Sequence, residues 1–569
     1  MASRRLKQAD AVIIGLGAGG GIAALPLARA GLEVVGLEAG PRLTKRDFPS
    51  DEIRNDIRNH MGRTKVNGEI PTARLNASQT ALRPAAPGRM MNAVGGTSIH
   101  YGMQSWRLSP WNFKGRSETI RRYGPGAIPA GSTLVDWPLD YAELEPYYDR
   151  VEFEIGVSGK AGNLNGSLVA GGNPFEGPRR REFPMPPLRR SGWTELMANA
   201  ARRLGWRPFP GPAAIASERY DGRPACNYCG FCTTNGCHQD SKGSTFLNAI
   251  PAAEETGNLT VVPNARVIEI AVDADGRASG VVYLRGETSF FQPAKVVLLA
   301  GYTYENVRLL LLSRSAAYPA GLSNNHGQVG KHFMAHGLRS ASVTGLFPGR
   351  RLNRFSGTVG QWTAVDEWAD DNFDHAGLGF IGGASISATM EVKPIGMARS
   401  TPPALPRWGS AWKAWLKANA NSVGTASSQV ETLPYEDHVL DLDPTVRDPL
   451  GFPVVRVTFD LKENERRAAL FLQEKLALWL REAGAAETWT TPPVPLPVNT
   501  HAYGGTRMGD DADTSVVDGW GMSHETPNLG VLGASTWPTT GGRNPTQTVQ
   551  ALAWRTADHL LENWSAIAD

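Results

Sequence analysis

Four cysteines in 569 residues are too few to staple the chain, and Cys226, Cys229, Cys232 and Cys237 all fall in one short segment. A disulfide framework spreads its cysteines through a small chain. Thiols gathered in a single loop read instead as a metal site. No stretch approaches the roughly 20 apolar residues that a membrane-spanning helix needs. Neither sign of charge is in excess, since 58 Lys and Arg face 55 Asp and Glu for a formal net charge of +3. That balance gives no sign of a nucleic-acid surface or a polybasic membrane anchor. Tandem repeats are missing too. With 41% hydrophobic residues the chain has material for a large core, so wholesale disorder is excluded. A soluble enzyme of roughly three to four domain-equivalents is what remains.

What the chain does have is glycine, 63 residues that cluster rather than spread, and 16 tryptophans. Large aromatics are mostly buried, so about two-thirds of the indoles are expected in the core, with the rest available to a binding surface. The first glycine cluster follows an apolar run. Ala11 to Ile14 reads as a strand, Gly15-Leu16-Gly17-Ala18-Gly19-Gly20 as a turn opening a helix with Ala and Leu on its inner face, and Glu33 to Leu37 as a second strand ending at Glu38. Gly15, Gly17 and Gly20 fit G-x-G-x-x-G, and Glu38 lies 18 residues past the third glycine, near the spacing of a dinucleotide fold. A side chain at Gly15 or Gly17 would block the turn and keep a pyrophosphate from the N–H groups of the helix start. Glu38 can accept hydrogen bonds from ribose hydroxyls. The segment alone leaves FAD and NAD open. Arg4-Arg5 hints at a twin-arginine export signal, but the Gly-interrupted run behind it is a poor signal-peptide core.

Residues 40–85 are polar and irregular, and a second glycine cluster spans Met91 to Gly102. Trp137 to Val157 has helical spacing, with Leu144, Tyr147, Tyr148 and Val151 on one side, and Gly- and Pro-rich residues 158–188 read as loop. Asn258 to Leu284 alternates like strands around an Asp275-Gly276 turn. Val296 to Ser313 reads as a buried strand, a Gly turn and a helix, a second βα unit. Residues 331–499 mix strands with two helical runs and form a separate layer, and the chain ends in an amphipathic helix from Thr546 to Asn563. Trp408, Trp412 and Trp415 share a helical spacing within Arg407 to Ala418, as a lid, a docking helix or, the favoured reading, a surface helix packed on its own domain.

Taken together, GLGAGG at 15–20, GGTSIHYGM at 95–103, WPLDYAELEPYYDRVE at 137–152, NARVIEI at 264–270 and VVLLAGYTYENVRLLLLS at 296–313 go beyond single motifs. The C-terminal blocks are more specific still: HAYGGTRMG from His501, PNLGVLGASTWPT from Pro527 and NPTQTVQALAWR from Asn544. On these residues the chain resembles the glucose–methanol–choline (GMC) family of flavin oxidoreductases. Within it, the chain is similar to the flavoprotein subunits of gluconate 2-dehydrogenases and to sugar and glycoside 3-dehydrogenases. The likeness runs end to end and is loosest over 331–499.

The resemblance implies an α/β fold, a discontinuous Rossmann-like FAD-binding domain with a β-sheet-plus-helices substrate domain over the flavin. It divides the chain into FAD-binding segments 1–135, 241–330 and 500–569, a substrate/cap segment 136–225, the cysteine loop 226–240 and a substrate-binding domain 331–499. It implies FAD at the Gly turn, held also by Gly95, Gly96, Ser98 and His100. Val267 matches the backbone that meets the adenine, and Ala534, Ser535 and Thr546 match the strand and helix near the isoalloxazine and pyrophosphate. His501 matches the general base that takes the hydroxyl proton, and Asn544 the partner that orients the hydroxyl. His100 is a candidate for a covalent bond to the flavin 8α-methyl, the alternative being a non-covalent histidine at the flavin edge.

The cysteine spacing C-x2-C-x2-C-x4-C is one residue longer than the ferredoxin run, with His238 where that run has Pro. Zinc usually pairs cysteines across a longer loop, so an iron–sulfur cluster on Cys226, Cys229, Cys232 and Cys237 is the expectation, as [3Fe–4S] or [4Fe–4S]. The implied activity is dehydrogenation of a secondary or anomeric hydroxyl of a sugar, glycoside or sugar acid. Electrons would then leave through the cluster to a cytochrome c subunit, with a small accessory subunit carrying the folded protein to the periplasm. An oxygen-using oxidase and a flavin-bound lyase of the same fold are the alternatives, and cytoplasmic residence is the alternative location.

Overall fold

The computed structural model describes residues 3–62, 65, 69–84, 90–336, 341–490, 495 and 498–568. Strand β1 (Ala9–Ile14) is apolar at nearly every position because both faces of the sheet it enters are buried, Ala11 and Ile13 in one core with Ile22 and Leu25, Val12 and Ile14 in another with Ile270 and Val281. The glycine turn leads into α1 (Ala18–Arg29), which is buried from Gly19 to Ala28. An inward Ala and Leu face was expected. The helix is instead enclosed all round, and its run of Gly and Ala is what lets neighbours close on every side. β2 (Val34–Glu38) returns parallel to β1, with Val34 opposite Ala11.

Helix α2 (Tyr141–Ile155) starts at an Asp140–Glu143 capping box and ends at Gly156, whose φ is +74°. α3 (Gly192–Arg203) follows beyond a segment that was read as loop and that holds one short ladder, Asn163–Leu164 with Ser167–Leu168. Next come β3 (Leu259–Pro263), β4 (Arg266–Val272), β5 (Ala278–Arg285) and β6 (Thr288–Leu299), then α4 (Thr303–Leu312). β6 changes partners along its length. Its first half is hydrogen-bonded antiparallel to β5, with Thr288 opposite Arg285. Its second half runs parallel to β1, with Val296 opposite Ala11.

A second layer is built from β7 (Ser342–Leu346), β8 (Thr363–Val365), β9 (Ile386–Ala388), β10 (Val423–Ser428) and β11 (Glu487–Thr490), all antiparallel, in the order β11–β7–β10–β9–β8. Phe209–Pro210 extends it beyond β8, so residues before 331 also belong to this layer. α5 (Gly409–Asn419) lies outside it with no buried residue, Trp415 edge-on to Trp489 of β11 and Trp408 79% exposed. α6 (Glu463–Glu482) buries Leu472, Leu476, Trp479 and Leu480 in the same core as Val343 and Ala426. The chain then returns to the first sheet through β12 (Leu529–Val531), parallel to the other side of β6, and closes with α7 (Thr546–Glu562). The N-terminal Arg4–Arg5 pair forms a short strand on Phe290–Phe291. Seven tryptophans, at 106, 137, 193, 362, 479, 537 and 554, are buried, fewer than two-thirds of the 16, because several others sit half-buried at seams between elements.

A buried charge cluster ties α2 to the start of α7. Arg107 donates to both Glu152 oxygens at 2.9 and 2.8 Å, Arg179 joins from the other side, and Gln547 Nε2 donates to Glu152 Oε1 at 2.6 Å. Tyr148 and Thr548 hydroxyls meet at 2.7 Å beside it. Burial alone would raise the Glu152 carboxyl, but the two guanidiniums outweigh it and hold the group down at about 2. Its folded value is therefore depressed, and its stabilising contribution fades as pH falls from the ordinary carboxylate range toward 2. Glu152→Gln leaves two buried guanidiniums short of charge and is expected to cost about 3–5 kcal/mol. The measurement is the thermal midpoint at pH 7, where a variant as stable as wild type would contradict the assignment.

Candidate functional site

At the end of β1 the chain must turn sharply beneath a neighbouring strand end. Gly15 does so at φ +90°, and a Cβ there would sit 2.6 Å from the Ala300 carbonyl oxygen. A Cβ at Gly20 would meet the Gly15 carbonyl oxygen at 2.0 Å, so this glycine sets how closely α1 packs on its own turn. Gly17 differs: a Cβ there would meet no protein atom within 4 Å, and the residue lines a cavity of about 370 Å³. The space it leaves faces the first turn of α1, which carries no side-chain cap and no acidic residue. Its N–H groups are therefore offered to something outside the protein. This is the chemistry a pyrophosphate needs, and the site fits the phosphate portion of FAD.

The second glycine cluster packs directly on the first, since a Cβ at Gly96 would come within 2.9 Å of Gly17 Cα. Gly95 takes φ +96° to start a short turn over Gly96–Ile99, and a Cβ on it would reach Phe246 Cβ at 2.6 Å. Gly96, Ser98 and His100 line the cavity, whereas Gly95 shapes the turn behind it. At the far end Glu38 is buried and accepts from Leu16 N at 3.1 Å and Gly40 N at 2.9 Å. Burial pushes its carboxyl up to about 7 against those two donors. Val267 of β4 completes that end of the wall, and Ala534 and Thr546 line the opposite region. Ser535 does not reach the cavity, because its hydroxyl accepts from Asn306 Nδ2 at 2.9 Å. Gly20 likewise stays behind the wall.

His501 enters the same cavity from the segment between the second layer and β12. Its backbone N donates to Asn499 Oδ1 at 2.6 Å. Residues 502–503 pair antiparallel with Met334–Ala335, which sets His336 beside His501. His336 N donates to the His501 carbonyl at 3.1 Å, and the two Nδ1 atoms lie 3.1 Å apart. Burial, with the His336 ring as the lesser cause, holds the His501 imidazole down at about 3, so it is neutral near pH 7. Asn544 is half-buried just ahead of α7 and is not among the cavity-lining residues, although the next residue, Pro545, is. The preceding Arg543 is fixed by Asp366 at 2.8 Å and Asp370 at 2.7 Å, both buried in the second layer. The sequence reading missed His336, Tyr503 and the Lys65–Glu305 pair at 2.5 Å in the wall. Tyr503 and Glu305 lie within quoted motifs, whereas His336 and Lys65 come from segments without one.

The four cysteines are half-buried free thiols that surround one small pocket of about 20 Å³, with Lys242 and His238 beside them. Cys232 Sγ lies 3.0 Å from Thr358 Oγ1, and Tyr228 N donates to Cys226 Sγ at 3.4 Å. Burial pushes Cys226 up to about 11 and raises Cys229 and Cys232 as well. The donor chemistry suits a metal. Among the described residues, however, no three Cys, His, Asp or Glu side chains converge closely enough to hold a metal ion. The expected ligand set is thus gathered at one place but not closed. No helix of the described residues is long and apolar enough to cross a membrane.

Two family models described as GMC oxidoreductase match the chain, one over residues 135–338 and one over 434–553. The chain is 34% identical to the gluconate 2-dehydrogenase flavoprotein of Pantoea cypripedii over 99% of this chain and 95% of that protein. It is 29% identical to the fructose dehydrogenase large subunit of Gluconobacter japonicus, covering 99% of each. Among solved structures, pyridoxine 4-oxidase from Mesorbium loti superposes with a TM-score of 0.63 at 16% identity, over 98% of this chain and 99% of that one. The open-ended glycine turn and the buried histidine on one cavity wall agree with these likenesses, and the chain belongs to the GMC oxidoreductases, FAD-dependent enzymes that act on CH–OH donors.

Proposed function

We propose that this chain is a dehydrogenase for a secondary or anomeric hydroxyl of a sugar, glycoside or sugar acid. The observation that carries the reading is that the dinucleotide cradle at Gly17 and the neutral imidazole of His501 open into one cavity. The likeness to a gluconate 2-dehydrogenase flavoprotein and a fructose dehydrogenase large subunit supports the substrate class. When bound, FAD supplies the acceptor for the substrate's hydride. The α1 N–H groups, Gly96 and Ser98 would hold its phosphate region, Glu38 its ribose and the Val267 backbone its adenine. His501 takes the hydroxyl proton, which a neutral ring is free to accept. Asn544, on a loop clamped through Arg543, orients the hydroxyl. Burial of the histidine keeps bulk water and stray protons away from the reacting oxygen.

The electron exit is the second part of the reading. Four thiols around one pocket, in a spacing near that of a ferredoxin loop, support an iron–sulfur site that passes electrons to a cytochrome c type partner. The thiols as placed are not a closed ligand set, so no step is routed through them. An accessory subunit and residence in the periplasm complete the proposal. An oxidase using oxygen is the competing reading if the loop holds no iron.

Dye-linked assays on gluconate, glucose, fructose and glycosides test the substrate class, and failure of all of them to bleach the flavin anaerobically would overturn it. His501→Ala is expected to slow anaerobic flavin reduction by about 10²–10⁴-fold with flavin content retained. Because protonation removes the base and its pKa is held near 3, wild-type reduction should stay flat from about pH 5 to 8 and fall only in stronger acid. A descending limb centred near pH 6.5 would contradict that. Iron and sulfide analysis of anaerobically purified protein should give roughly three or four irons per chain; an iron-free, fully active protein removes the exit route. His100 is the residue for a covalent flavin link in this reading. Flavin retained in the acid-precipitated pellet supports the link, and flavin released to the supernatant refutes it.

A further inference from the structure

We propose that His336 is a positioning residue that fixes the tautomer of His501 and ties the base to the loop carrying Asn544. The inference rests on the reading of His501 as the base. His336 follows the short Met334–Ala335 pairing with Ala502–Tyr503, so the backbone ladder itself sets the two imidazoles side by side. Their ring centroids are 5.3 Å apart, with planes inclined at 66°.

The proton positions follow from partners that have no choice. His336 Nε2 lies 2.8 Å from the Gly541 carbonyl oxygen, which only accepts, so Nε2 carries the hydrogen. The ring is buried and, among the described residues, no carboxylate faces it directly; Glu431, near Gly541, is itself pushed up to about 8 by burial. His336 is therefore neutral, held down at about 4 by burial, and its Nδ1 is a bare lone pair. Facing that lone pair are His501 Nδ1 at 3.1 Å, Tyr503 Oη at 3.1 Å and the Gln429 side chain, with Oε1 placed at 3.0 Å. Two lone pairs at 3.1 Å would repel, so His501 Nδ1 must carry its hydrogen toward His336. Gln429 must likewise turn its amide nitrogen toward the ring. A neutral His501 then has one basic nitrogen left, Nε2.

This arrangement answers a problem that burial creates. A dry imidazole is a reluctant base because its cation is poorly solvated. Once His501 Nε2 has taken the substrate proton, its Nδ1–H is already pointed at an acceptor, and the bond becomes charge-assisted. In hydrolase triads a carboxylate holds the histidine this way. Here a neutral imidazole does so, without burying a negative charge near the acceptor of a hydride. Through Nε2 the same ring holds Gly541, three residues before Asn544, so base and hydroxyl-orienting loop share one anchor.

The test uses the FAD-loaded enzyme with His336→Leu, which removes the acceptor, and His336→Asn, whose Oδ1 can still receive the His501 proton. Flavin reduction in His336→Leu is expected to fall about 10–100-fold with KM changed less than about threefold, and His336→Asn to recover most of the loss. Selective 15N-histidine spectra should show His501 as the Nδ1–H tautomer in wild type and His336→Asn, and its population shifted toward Nε2–H in His336→Leu. A wild-type rate in His336→Leu would overturn the proposal. So would equal slowing of both variants alongside a matching fall in flavin content and thermal midpoint, which marks a merely structural residue. If His501→Ala retains rapid reduction, the base assignment itself fails; if His501→Ala is inactive while His336→Leu is normal, only the positioning role falls.

Discussion

The site depends on how closely backbone from distant parts of the chain can approach the head of α1. Gly15 turns beneath the Ala300 carbonyl, Gly20 lies against the Gly15 carbonyl, and Gly96 rests on Gly17 Cα. Each approach is too close for a Cβ. Together they bring residues near 15, 96 and 300 into one wall and leave open space above Gly17, on the side where the first turn of α1 faces the cavity. Any side chain at these contacts would push the segments apart and fill or tilt the cradle. The clustering of glycine in the sequence is thus a statement about backbone separation rather than about flexibility.

The opposite wall is positioned by charge. Arg543 is clamped by Asp366 and Asp370, and Glu152 draws Arg107, Arg179 and Gln547 together at the start of α7. Removing one member of such a buried group leaves its partner uncompensated. The loop from Thr539 to Asn544 is consequently held from both layers, with Thr432 N donating to the Thr540 hydroxyl at 3.0 Å as a further tie. The same desolvation that makes these pairs matter also keeps His501 and His336 neutral. One dry seam therefore supplies both rigidity and an unprotonated base.

Much of this was legible in the residues. The order strand, glycine turn, helix, strand and acid located β1, α1, β2 and Glu38, since each is a local pattern with a local physical cause. His501 was reached differently, through the family resemblance carried by the C-terminal motif and not through a local physical cause. Three expectations changed on folding. Gly20, Gly95 and Ser535 support the cavity from behind instead of lining it, Asn544 stands beside the wall, and α1 is enclosed on all sides. The second layer also takes in Phe209–Pro210, from the substrate/cap segment 136–225. A motif can mark the neighbourhood of a site, but which face a residue presents depends on what packs behind it.

By itself the sequence determined the dinucleotide turn and the single loop of thiols, because spacing along the chain specifies them, and the fold class and family through the resemblance of motifs that run from end to end. Only the tertiary structure decided that the histidine shares a cavity with that turn, that His336 stands 3.1 Å from it, and that the four thiols meet at one pocket without converging on a point. The physical reason is that hydrogen bonds and desolvation act across space. His336 and His501 are 165 residues apart in the chain, and no local pattern records the burial that sets their protonation.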